Sequence, residues 1–169
     1  MRILVALLAL SGLALAQTPD MKTVSGSTAG LYQMAIGNVI KAAEAMPEAD
    51  FSFKPVATVR SFGEIAGHVA DAQYVFCGAA KGEQKAGPGA EKMKSKAEIV
   101  AALKSAKSYC DTAYGMLTDA NAGDAMKFMR GERARIGVLE FNTVHTYEHY
   151  GNLVTYMRIK GLVPPSSQR

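Results

Sequence analysis

The chain has 169 residues, of which 49% are hydrophobic and 20% charged, with a net charge of +4 at neutral pH. A chain of this length builds one hydrophobic core and leaves little for a second. The small basic excess is scattered, without charge runs and without aromatic residues interleaved among the basic ones, which argues against nucleic-acid and membrane binding.

Met1-Arg2, the apolar run Ile3 to Leu15 and the ending Ala14-Leu15-Ala16 have the three parts of a secretory signal peptide. The apolar run is too short to span a bilayer and leads directly into Gln17-Thr18-Pro19-Asp20, so cleavage after Ala16 is expected rather than anchoring. No cysteine follows that point to carry a lipid. The expectation is a periplasmic or secreted protein, with residues 17–169 forming one domain in an oxidising space. Loss of Arg2 lowers the charge excess to +3.

Apolar residues recur every three to four positions over several long windows, and no window of five or more residues alternates cleanly, so the chain is expected to be all-α. A first helix should run from about Ser25 to Met46, with Leu31, Ala35, Val39 and Ala42 inward and Pro47 ending it. The connector Asp50 to Pro55 follows, with Phe51 and Phe53 pinning it to the bundle. Ser61 and Glu64 have capping-box spacing and open a second helix. Its inward positions are Phe62, Ile65, Val69, Ala72 and Phe76, and it stops between Gly78 and Gly82. After the loop Gly87-Pro88-Gly89, Ser95 and Glu98 repeat the capping signal. The third helix carries Ile99, Leu103, Ala106, Cys110, Ala113 and Leu117 inward and ends over Asp119 to Gly123. A last helix should start between Gly131 and Arg133 and reach Lys160, with Gly161 closing it and Pro164-Pro165 blocking extension. Four such helices make a four-helix bundle.

The chain has two cysteines, Cys77 and Cys110, and the compartment permits one bridge between them, tying two helices together. Whether it forms is left open. Neither cysteine has a histidine or cysteine at short ligand spacing, and neither shows the surroundings of an activated thiolate.

Three histidines are present in the whole chain. His145 and His149 stand four residues apart, which puts both rings on one helix face about one turn apart. His68 shares the face of Ile65 and Ala72 on the second helix. A histidine on an apolar helix face is more often a hydrogen-bonded core residue than a ligand. Here every histidine falls on an inward stripe and the three divide between two long helices, the arrangement from which bundles build metal sites. Three neutral imidazoles with a further open position would form a metal centre of catalytic type.

His145-Thr146-Tyr147-Glu148-His149 also fits the H-x-x-E-H pattern of a group of metalloproteases. That group needs a further ligand helix downstream, and the 20 residues after His149 are too few for one. Glu148 is therefore read as a solvated residue or a helper beside the ligands. Candidate helpers that would touch the ligands are Glu64, one turn before His68, and Asn142, three residues before His145. The plainer role for Glu64 is its capping box. Tyr150 and Tyr156 either line a pocket or belong to the core.

Several of these runs together resemble the DinB/YfiT-like superfamily. They are Phe53-Lys54-Pro55, then Ser61-Phe62-Gly63-Glu64-Ile65 leading to His68, and His145-x-x-x-His149-Tyr150-Gly151-Asn152-Leu153-Val154-x-Tyr156-x-Arg158, followed by Gly161-Leu162-Val163-Pro164-Pro165. The resemblance implies a four-helix bundle of up-down-down-up order. It also implies a divalent metal, usually zinc or nickel, held at positions matching His68, His145 and His149. Members include thiol-dependent S-transferases, a mycothiol-dependent maleylpyruvate isomerase and proteins assigned as metal-dependent hydrolases, and homodimers are common. The signal-like segment departs from a pattern built on cytosolic thiols, and the two cysteines lie outside the metal motif. The expected function is thus a metal-dependent hydrolase or transferase acting on an unidentified small molecule. The alternative is a periplasmic metal-containing binding module that performs no chemistry.

Overall fold

In the computed structural model, which describes residues 19–168, the elements follow in the order α1 (Val24–Ala45), α2 (Phe62–Lys81), α3 (Lys96–Gly115), β1 (Ala125–Phe128), β2 (Gly131–Ala134) and α4 (Arg135–Ile159). The expected signal segment and its cleavage point after Ala16 lie outside the described residues. Among the described residues, no helix is long and apolar enough to cross a membrane.

Local chemistry sets the helix starts. Thr23 caps α1 by accepting from the Gly26 N–H, and both Ser61 with Glu64 and Ser95 with Glu98 form reciprocal capping boxes. At the other ends, Gly82 and Gly161 take φ of +79° and +75°, left-handed conformations that glycine adopts without a Cβ penalty.

Contacts between helices define their directions. Along α2 and α4, His68 meets His145, Gln73 meets Thr146, and Ala80 meets Arg135, so the two run antiparallel. Along α2 and α3, Tyr74 bonds Ser105 and Cys77 is bridged to Cys110, while Gly63 lies beside Ile99, so these two run parallel. Gln33 reaches Asp111 and Lys96 reaches the carbonyl of Met46, which makes α1 antiparallel to α3. The resulting order is up, down, down, up, and the crossover between the parallel α2 and α3 is carried by residues 82–95.

The expected inward stripes of α2 and α3 are buried throughout. In α1 the stripe is rotated: Ala35, Val39 and Ala42 are buried, but Leu31 is 51% exposed and Tyr32 with Ile36 point to the core. The tyrosine ring stacks on Tyr114 of α3 at 4.0 Å, and a flat aromatic contact of that kind outweighs the area that Leu31 would bury. Cys77 and Cys110 are joined in a disulfide and both are fully buried.

The all-α expectation needs correction. Residues 125–134 form an antiparallel hairpin pairing Ala125 with Ala134 and Phe128 with Gly131, and α4 begins at Arg135 rather than at Gly131 to Arg133. Each strand has four residues, shorter than any window in which alternation was visible, and only β1 alternates, burying Met126 and Phe128. The turn is equally hidden, because the left-handed position is held by Met129, at φ +53°, and not by glycine or asparagine. The hairpin presses Phe128 against Phe76 of α2 and Phe141 of α4, with ring centroids 5.8 and 5.3 Å apart.

Candidate metal centre

The two-helix geometry expected from the histidine spacing is present. Antiparallel packing of α2 on α4 brings His68 within reach of His145 and His149, and all three point into the same space. The Nε2 atom of His145 lies 3.2 Å from Nε2 of His68 and 3.1 Å from Nε2 of His149. One nitrogen from each residue falls within 4.8 Å of the other two. Nitrogens bound to one cation at about 2.0–2.1 Å in tetrahedral geometry stand roughly 3.3 Å apart, so the spacing suits a shared ion.

Proton placement makes the same point. Glu91 is hydrogen-bonded to His68 Nδ1 at 3.1 Å. Burial raises the Glu91 pKa, but hydrogen bonds from Arg60 and His68 outweigh it and leave the pKa below the ordinary value. An ionised carboxylate only accepts, so the proton of His68 sits on Nδ1 and its Nε2 presents a lone pair. His145 Nε2 can either donate one hydrogen bond or accept through one lone pair, so it satisfies one of its two close neighbours and leaves the other contact without a hydrogen bond. A central cation would engage all three. The donor set therefore fits a metal ion.

Burial disfavours the protonated form of two of the rings, His145 and His149. The His145 pKa is pushed down to about 4 by desolvation, with further lowering from His149 and His68. His149 is lowered too, chiefly by its burial. Phe76 meets His145 edge-on at 5.2 Å, closing the side away from solvent, and Nδ1 of His145 is buried without a hydrogen-bond partner.

On the solvent side, an open cavity of about 700 Å³ reaches the cluster at His149. His149, Glu148, Asn152 and Tyr156 from α4 form one wall, and Lys54, Arg60, Glu64 and Glu91 form the other. Most of these groups are already paired. Lys54 binds Glu64 at 3.0 Å, and Glu64 also accepts the Ser61 N–H in its capping box. Those bonds, the Ser61 N–H foremost, pull the Glu64 pKa down to about 2. Tyr156 donates its hydroxyl to the Arg60 carbonyl. Among the described residues Glu148 has no such partner.

The remaining expected residues fall elsewhere. Asn142 is fully buried and its amide donates to Gln73 and Tyr114, 3.6 Å from the Cys77 sulfur, so it serves the core between the helices rather than the histidines. Tyr150 hydrogen-bonds Ser166 and holds down the C-terminal turn. Glu64 reaches the cavity wall but is committed to Ser61 and Lys54. Glu91 and Arg60 were not legible in the sequence, since Arg60 lies in a loop, Glu91 lies in a three-residue 3-10 turn, and Glu91 is 23 residues from His68. No spacing rule connects residues so placed.

A profile of the DinB superfamily matches residues 31–153, more than half of the chain, and the protein belongs to that superfamily. Its fold is similar to that of a DinB-like protein from Bacillus cereus ATCC 10987, with a TM-score of 0.73, 17% identity, and coverage of 85% of this chain and 96% of that one. A DinB-like protein from Bacillus subtilis aligns with a TM-score of 0.66 and 20% identity over 85% of this chain and 99% of its own. The mycothiol-dependent maleylpyruvate isomerase aligns with a TM-score of 0.64 at 12% identity, over 81% of this chain and 63% of that longer one. At these identities the likeness is one of fold. A comparison with curated protein sequences returned no match.

Proposed function

We propose that this chain is an exported metal-dependent hydrolase or transferase in which His68, His145 and His149 hold one divalent ion beside the cavity that His149 lines. The observation that carries this reading is the convergence of three Nε2 atoms from two helices, next to an open, polar cavity that His149 lines. Zinc or nickel suits a nitrogen donor set of this kind. When bound, such an ion supplies a Lewis acid that polarises a substrate oxygen or lowers the pKa of water.

The protein's own part is positional. Burial keeps His145 and His149 unprotonated at neutral pH, so their lone pairs are available for ligation. Phe76 shields the far side of His145 from water. Glu64 stays ionised and paired, which unfits it to exchange protons near neutrality. Glu148 remains as the wall carboxylate able to accept a proton from a bound molecule. The polar walls suit a small polar substrate.

Two features support export: the n-region and h-region pattern of residues 1–16, and the Cys77–Cys110 bridge, since such bridges persist in oxidising compartments. The test is elemental analysis of protein purified without added metal, followed by assays on ester, amide, phosphate and thiol substrates. Wild type should carry about one ion per chain and turn over at least one class, whereas His149→Ala should lose both. An absence of metal from the wild type would overturn the reading, and a metal-loaded wild type no more active than the variant would leave a binding module.

A further inference from the structure

The crossover between α2 and α3 is fastened to α2 in a manner that its length does not require. Asp71, one helical turn after His68, accepts three backbone N–H groups from this loop: those of Gly89 and Ala90 on one oxygen, at 2.9 Å each, and that of Glu91 on the other, at 3.0 Å. The loop backbone lies directly on the helix at Gly67, where a Cβ would stand 2.3 Å from the Ala90 carbonyl oxygen. Ala90 itself is fully buried. These three features surround one residue. Glu91, next in the chain, sends Oε2 to His68 Nδ1 at 3.1 Å, and Arg60 from the same wall holds its other oxygen at 2.7 Å.

We propose that Glu91 is the positioning residue of the metal centre: clamped by Asp71 and Arg60, it fixes His68 with the proton on Nδ1 and Nε2 aimed at the ion. The proposal rests on the three-histidine metal reading. The physical ground is general. A ligating imidazole must present one nitrogen as a lone pair, and a carboxylate bonded to its other N–H selects that tautomer, stops ring rotation and makes the ligand more basic. His145 and His149 lie on one rigid helix a turn apart and orient each other through packing. His68 comes alone from another helix, so its direction needs an external restraint. The crossover supplies it: Glu91 sits in a single 3-10 turn, Ala90–Lys92, which Asp71 ties to α2 as a fixed support.

The experiment measures Zn²⁺ affinity by chelator competition for the wild type, Glu91→Ala, Glu91→Gln and Asp71→Asn. Nitrogen-15 NMR of the His68 ring in metal-free protein is recorded alongside. Loss of a partner of this kind lowers metal affinity by about 10–100-fold, which is the expectation for Glu91→Ala. Glu91→Gln keeps an oxygen that accepts the Nδ1–H and should recover part of the loss. Asp71→Asn, which touches neither His68 nor Glu91's carboxylate, should shift affinity in the same direction by less. In the spectrum, wild-type His68 should carry its proton on Nδ1, and Glu91→Ala should show a mixture of tautomers, a change that general loosening of the fold does not select. Wild-type affinity in Glu91→Ala, or an unchanged His68 tautomer, would overturn the proposal. Should the wild type bind no Zn²⁺, the metal reading falls and Glu91's role is decided by the tautomer comparison alone.

Discussion

Gly67→Ala tests how tightly the crossover is held against the metal helix. The added methyl would sit 2.3 Å from the Ala90 carbonyl oxygen and 2.6 Å from the Glu91 nitrogen, both backbone atoms that cannot swing aside. Ordinary contact begins at 3.4 Å, so the loop must retreat by about 1 Å. That stretches the 3.1 Å bond from His68 Nδ1 to Glu91 beyond hydrogen-bond length and disturbs the three N–H groups on Asp71. Replacing a helical glycine gains about 1 kcal/mol of helix propensity. Overpacking costs about 1–3 kcal/mol, and weakening one hydrogen bond to a carboxylate costs about 1.5–3 kcal/mol more. The second group wins, leaving a net loss of roughly 1.5–5 kcal/mol, or about 3–20 °C in Tm for a domain of this size. Calorimetry of the metal-free protein and Zn²⁺ competition measure the two consequences separately. Gly37→Ala serves as the control, since nothing lies within 4 Å of its added Cβ, and it should raise Tm slightly. A Gly67→Ala protein as stable as the control, with undiminished Zn²⁺ affinity, would refute the reasoning.

Reduction of the Cys77–Cys110 bridge, or the double change Cys77→Ser and Cys110→Ser, releases a loop of sequence separation 33 in the unfolded chain. The chain-entropy estimate for that loop is about 4 kcal/mol, so the denaturation midpoint in urea should fall clearly, and an unmoved midpoint would contradict it. Glu64 has a folded pKa of about 2 against an ordinary 4.5, so its stabilising contribution is present above pH 4.5 and is lost as the pH falls towards 2. Glu64→Gln should therefore show a shallower decline in stability across that window, and identical acid-unfolding curves would argue that the Ser61 and Lys54 bonds do not persist. For the loaded protein, protons compete with the ion for the imidazole nitrogens; burial lowers the His149 pKa and takes that of His145 to about 4, so metal should be released as the pH falls through about 4, as followed by dialysis and elemental analysis. Retention of the full complement well below pH 4 would count against three-histidine ligation.

The capping pairs Ser61 with Glu64 and Ser95 with Glu98, the inward stripes of α2 and α3 and the pairing of His145 with His149 were all legible in the chain, because each follows a helical spacing that backbone geometry imposes, whereas His68 joins the pair only through the packing of α2 on α4. The rotation of α1 towards Tyr32 was not, since it depends on a stacking partner 82 positions away on α3. The hairpin escaped for a related reason: four-residue strands have too short a pattern to register, and they exist because Phe128 finds Phe76 and Phe141. Asn142 has the right spacing to serve His145, yet Gln73 and Tyr114 claim its amide inside the core. Glu91 shows the opposite case. Its neighbours in sequence carry no periodic signal, and only the docking of the crossover on Gly67 and Asp71 places its carboxylate against His68. Periodicity along a helix can nominate metal ligands, because the ligands share the helix's own repeat. The groups that orient those ligands come from loops, whose positions depend on long-range packing, and so they emerge only from the folded structure.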